Sequence, residues 1–205
     1  MLFLAEGVLI GLTLAILVGP IFITLIKISM QYGVKAGMAA VAGIWISDVL
    51  VIILAWWGIQ KAGNWFQSPA FVYWQGITGG VIITIVGLVS FFSNRRYEAD
   101  NNDDRKRSFF TFFTRGFLVN FVNPFTFVFW LTVLSAQLIH TNIIPMEIIL
   151  LFTGILATIL ITDSLKVLLS KKISTFLTPH HISVFHKIAS LILSLIGIFI
   201  IMRVV

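Results

Sequence analysis

Four kinds of residue in this 205-residue sequence have types and spacings that could do chemistry, and the first three sit inside apolar runs. The first is Asp48, near the middle of the uncharged run from Val41 to Trp57. An ionised aspartate at the centre of a lipid-embedded helix costs about 2.5 to 3.5 kcal/mol on insertion scales, so such a residue should face a bundle interior or water. It could bind a proton or an ammonium group; the competing reading is a neutral hydrogen-bonded acid that glues helices together. The second is a pair of prolines, Pro20 after Gly19, and Pro124 in Asn120-x-x-Asn123-Pro124. Proline has no N–H to reach back four residues, so Pro20 frees the carbonyl of Ile16 and Pro124 that of Asn120. Helices so broken at membrane depth survive only within protein or along a wet cavity, and paired breaks point to a transporter's binding site. A packing kink is the plainer alternative. The third is Asp163 with Lys166, three apart on one helical face and able to form a local ion pair, unless Lys166 only snorkels to the interface. The last is His180, His181 and His186, which fit an interfacial connection better than a metal site.

The elements that must position these residues are membrane helices. Hydrophobic residues make up 59% of the chain and charged ones 11%, with a mean hydropathy of +1.03, well outside the usage of water-soluble domains. Apolar runs at about 3–26, 37–59, 71–93, 116–139, 147–169 and 188–202 predict six transmembrane helices, since backbone polar groups in lipid must be satisfied within their own segment. The first run is too long for a signal-peptide core and lacks a basic start, so it is expected to stay in the mature chain. Trp56, Trp57, Trp65, Tyr73 and Trp74 read as an interfacial belt, and the aromatic stretch from Phe109 to Trp130 mainly as lipid-facing packing. Glu6 reads as interfacial. Small residues spaced four apart, Gly7 and Gly11, Ala39 and Gly43, Gly76 and Gly80, Ser190 and Ser194, predict close helix approach.

Charge sets the topology. The net charge of +6 comes from cations concentrated in and beside the connections near 27–36, 94–115 and 170–187, which with Lys166 just before the last carry twelve of the fourteen Lys and Arg; Lys61 and Arg203 lie opposite. Basic residues placed between apolar runs act as topology signals and do not indicate a nucleic-acid partner. The positive-inside rule puts the polar run 94–107 in the cytoplasm and both termini outside it. That run divides one transmembrane domain, 1–205, into halves of three helices, 1–93 and 108–205. An odd number per half makes the halves antiparallel, the arithmetic of two inverted three-helix repeats. Gly11-x8-Pro20 against Gly116-x7-Pro124, and one aspartate in the second helix of each half, Asp48 and Asp163, agree with it, although the proline-to-aspartate spacings are 28 and 39. The absence of cysteine excludes disulfides, thiolate metal sites and thiol redox relays, and no phosphate-binding loop implies ATP; no cofactor or metal is expected.

The order and spacing of Gly19-Pro20, Tyr32-Gly33-x3-Gly37, Gly43-Ile-Trp-Ile-Ser-Asp48 and Gly116-Phe-Leu-Val-Asn-Phe-Val-Asn123-Pro124 resemble those of the lysine exporter, or LysE/RhtB-type, family of bacterial amino-acid efflux proteins along essentially the whole chain. The resemblance implies six helices in two inverted halves, and export of small solutes, commonly amino acids, powered by an ion gradient. Gly19, Pro20, Asp48, Asn123 and Pro124 fall on the family pattern. Val18, Ile21, Phe22 and Phe129 depart from it, and Phe129 stands where branches exporting basic amino acids often have aspartate. The expectation is an inner-membrane secondary exporter working by alternating access, with a small-molecule substrate and a coupling ion, a proton being the candidate. Its site residues would be Gly19, Pro20, Asp48, Asn120, Asn123, Pro124, Asp163 and Lys166; a homo-oligomer is left open. Two rivals are a membrane enzyme using Asp48 and Asp163 as a carboxyl dyad, and a channel or packing subunit without a substrate of its own.

Overall fold

The computed structural model of the chain describes residues 2–16, 20–62, 68–92, 108–138, 145–176 and 179–204. These residues form helices α1 (Leu2–Ile16), α2 (Pro20–Tyr32), α3 (Val34–Ala62), α4 (Pro69–Phe92), α5 (Phe109–Phe121), α6 (Pro124–Leu138), α7 (Pro145–Leu168), α8 (Ser170–Phe176) and α9 (Pro179–Val204), with no strand among them. Two helices are long and apolar enough to cross a bilayer, Val34–Gly58 within α3 and Met146–Leu168 within α7. Phe109–Phe121 of α5 and Pro124–Leu134 of α6 are long and apolar enough only when taken together, as a broken span or a re-entrant loop, and are bent by 63° between Phe121 and Pro124. Leu2–Ala15, Ile21–Tyr32, Gly76–Phe92 and Ser190–Val204 are apolar but shorter. The chain is thus an all-helical, multi-pass membrane protein.

Several boundaries differ from the sequence expectation, each for a local reason. Of the run expected at 3–26, Leu2–Ile16 forms α1 and Pro20 opens α2, and 17–19 lie outside the described residues. Proline is well placed as a first helical residue, where its missing N–H costs nothing. The run at 116–139 is divided at Val122 and Asn123, and its first arm starts earlier, at Phe109, because Ser108 caps it by accepting from the Phe110 N–H at 3.3 Å. The connection expected at 27–36 shrinks to Gly33, whose φ of +88° lets the chain turn between α2 and α3 in a conformation that residues with a side chain rarely adopt. Most of the connection expected at 170–187 is helical, as α8 and the first turns of α9. The polar run 94–107 lies outside the described residues, as does Trp65.

Helices pair most extensively as α3 with α5, α1 with α7 and α4 with α9. Small residues make these approaches. Gly43 of α3 lies on the backbone of Phe113, Gly116 of α5 on that of Ala40, Gly7 of α1 on that of Leu151, and Gly80 of α4 on that of Gly197. In lipid, where apolar surface gives no net drive to associate, such backbone-level packing is what holds helices together. Two apolar clusters result. One gathers Leu25, Ile28, Ala40, Ile44, Phe112 and Val167, and the other gathers Val51, Trp130, Val133, Leu151, Ile155 and Ile159. On α3, the stretch between the clusters is where Ser47 and Asp48 lie, both buried.

At one end of the bundle α2, α5, α7 and α8 come together. Ser29 of α2 donates to the Val167 carbonyl at 3.0 Å and shares a 2.9 Å hydrogen bond with Ser170, and the Tyr32 and Phe112 rings are 4.9 Å apart. These contacts draw together the end of α2, the start of α5 and the junction of α7 with α8, next to Lys27, Lys35, Arg115, Lys171 and Lys172. Trp56, Trp57, Tyr73 and Trp74 are exposed, as a belt in contact with lipid headgroups requires.

Candidate functional site

Asp48 is the centre of the buried polar network. It lies on α3 and is 5% exposed. Its Oδ1 accepts two hydrogen bonds, from Asn120 Nδ2 at 2.9 Å and from Trp130 Nε1 at 2.9 Å. Asn120 is on α5, before the 63° break, and Trp130 is on α6, after it. One carboxylate oxygen therefore holds both arms of a broken helix. The Asn120 side chain also donates to the Ile44 carbonyl at 3.1 Å, and its own carbonyl oxygen accepts from Thr126 Oγ1 at 2.9 Å, a second bond between the arms. Asn120 thus uses both ends of its amide, which is what a buried amide needs.

The break has its own chemistry. The carbonyl that Pro124 strips of its usual partner is that of Asn120, and it accepts from the Asn123 N–H at 3.2 Å. Asn123 then starts the next arm: its Oδ1 accepts from the Phe125 N–H at 3.1 Å and its carbonyl from the Thr126 N–H at 3.0 Å. Asn123 is a helix cap and Pro124 the first residue of α6, so these two build the break while Asn120 joins it to Asp48.

Both hydrogen-bond partners of Asp48 are neutral, and its second oxygen, Oδ2, is not engaged by either. A carboxylate with one oxygen fixed can accept a proton or a small cation on the other without losing its place. Asp163 is buried on α7, a helix that packs on α3. Its own charge is met by Lys166, whose Nζ is 2.8 Å from Asp163 Oδ1 while lying 5.9 Å from the centre of the Phe22 ring on α2. Lys166 therefore bridges α7 to the arm that follows Pro20, with an ion pair on one side and a cation–π contact on the other.

Of the residues singled out in the sequence, Asp48 and Asn120 come together directly, with Asn123 and Pro124 shaping the break beside them. Asp163 and Lys166 form a neighbouring pair on α7. Pro20 opens α2, and Gly19 lies outside the described residues. The sequence reading missed Thr126 and Trp130. Trp130 was expected among lipid-facing aromatics, yet it is 1% exposed, stacked at 5.9 Å on Phe152 and bonded to Asp48. The signal that could have found both is their spacing of four, which puts a hydroxyl and an indole N–H on one face of α6.

Among the described residues, no group of three or more His, Cys, Asp or Glu side chains could hold a metal ion. Ser47, next to Asp48, is fully buried, and its hydroxyl has no hydrogen-bond partner among the described residues. No curated protein and no solved structure matches the chain. The family model described as LysE type translocator matches residues 12–203, nearly the whole length, and the chain belongs to that family of membrane transporters.

Proposed function

We propose that the protein exports amino acids or related small metabolites from the cytoplasm by alternating access, driven by an ion gradient. Asp48 is the group whose occupancy by a proton or by the substrate's ammonium changes during the cycle. The observation that carries this reading is the state of Asp48: a buried carboxyl beside a helix break, held through one oxygen by two neutral donors, one from each arm of the break. Gly19, Pro20, Asn120, Asn123, Pro124, Asp163 and Lys166 complete the proposed site around the two breaks. With Phe129 in place of an acid after the second break, a neutral amino acid suits the site better than lysine or arginine.

The proposed architecture is six spans in two inverted halves, in the inner membrane, with both termini periplasmic. Reciprocal packing supports the repeat. Gly116 lies on the carbonyl of Ala40, and Gly11 lies against the Thr158 side chain and, at 3.1 Å from its would-be Cβ, the carbonyl of Ile155. Ala40 and Ile155 each stand eight residues before an aspartate, Asp48 and Asp163, while Gly11 and Gly116 each stand one helical stretch before a proline. The first helix of each half thus packs on the second helix of the other.

Asp48→Asn tests the function, because it keeps the size and the acceptor of Asp48 but cannot ionise. Normal membrane insertion with export lost by at least about tenfold is the expected result, the scale of a charge interaction worth roughly 1.4 kcal/mol. Efflux from loaded vesicles under an imposed pH gradient gives the rate, and a wild-type rate would leave Asp48 as helix glue.

A further inference from the structure

We infer that Trp130 is a positioning residue that couples the occupancy of Asp48 to the angle of the broken helix, so that the carboxylate works as a pin between α5 and α6. The inference rests on the reading of Asp48 as the group that takes a proton or an ammonium. It adds how that event becomes movement.

The geometry is specific. Asp48 Oδ1 receives Asn120 from the arm before the break and Trp130 from the arm after it, both at 2.9 Å. A hydrogen bond to an ionised acceptor is about twice as strong as one between neutral groups. While Asp48 is ionised, both arms are drawn to one oxygen. When the carboxyl is neutralised, both bonds weaken together. The two arms do not respond alike, because their other attachments differ. Asn120 keeps its bond to the Ile44 carbonyl, and α5 remains locked on α3 through Gly43 and Gly116, where backbone meets backbone. The indole N–H of Trp130 has Asp48 as its partner, and α6 touches α3 far less extensively than α5 does. The arm carrying Trp130 is therefore the one released, turning about Val122 and Asn123. The bond between Thr126 and Asn120 lies close to that pivot and tolerates the turn.

Charges around Asp48 leave it as the group that acts. The helices packed on α3 carry Lys27 on α2, Arg115 on α5, and Glu147, Asp163 and Lys166 on α7, and α6 carries no charged residue. Of these, Asp163 is the buried acid, and Lys166 pairs with it at 2.8 Å.

The chain has no cysteine, so spin labels at Leu118→Cys on α5 and Thr132→Cys on α6, both exposed positions, report the distance across the break in the full-length protein in liposomes. In the otherwise native protein the distance distribution should shift between alkaline and acidic pH. Trp130→Phe removes the donor and keeps an aromatic ring beside Phe152, with a smaller ring volume. It should populate the acid-type distances at alkaline pH, a rise on the order of tenfold for the loss of one charged hydrogen bond. Asp48→Asn, which preserves every donor and acceptor in the network, should show the acid-type distribution at all pH values. A pH response that persists in Asp48→Asn would assign it to Asp163 and overturn the inference, as would an unchanged response in Trp130→Phe. Export by the native protein without any distance shift would reject the pin and keep the exporter. A distance shift of the expected kind without export would keep the pin and reject the exporter.

Discussion

Gly116 of α5 rests directly on the backbone of Ala40 in α3, so the two helices touch without a side chain between them. A Cβ added at Gly116 would overlap backbone atoms, which cannot swing aside as a side chain can. Gly116→Ala should therefore separate α5 from α3 and cost about 1 to 3 kcal/mol, the range for overpacking a filled interior. Gly79, on α4, has nothing within 4 Å of its would-be Cβ. Gly79→Ala should be neutral or stabilising by up to about 1 kcal/mol, the helix-propensity difference. Thermal unfolding in detergent compares the two, and equal melting temperatures would mean that the α3–α5 contact is not tight.

The pair formed by Asp163 and Lys166 makes a different prediction, because its members are unequal in burial. The side chain of Asp163 is 7% exposed and that of Lys166 15% exposed. Lys166→Met retains the apolar stem but leaves the Asp163 carboxylate buried without its cation, a loss of about 3 to 5 kcal/mol if the charge stays unpaired. Asp163→Asn combined with Lys166→Met removes both charges and should recover most of that loss. A double mutant no more stable than Lys166→Met alone would show that the ion pair is not what supports this end of α7.

The distribution of cations predicts topology. A single cysteine placed at Arg105 should resist impermeant thiol reagents applied to intact cells, and one added after Val205 should react. The expectation follows from the twelve of fourteen Lys and Arg that cluster near 27–36, 94–115 and 166–187. Labelling at position 105 from outside would reverse the assignment.

The sequence by itself determined the solvent, the element type and the places where helices break. Long uncharged runs can be satisfied in lipid only as helices, and proline removes an N–H wherever it stands, so α2 and α6 begin at Pro20 and Pro124 as chemistry requires. Asp48 was legible for the same reason, since a lone acid in an uncharged helix needs a partner wherever the helix is placed. The identity of its partners was not legible. Asn120 and Trp130 are 72 and 82 residues away in the chain, and they reach the same oxygen only because α5 lies against α3 and the 63° break turns α6 back toward it. An indole also reads the same in sequence whether it meets lipid or a carboxylate. Rotation of α6 about its axis decided that for Trp130, and rotation is set by packing between helices, which local sequence pattern does not encode.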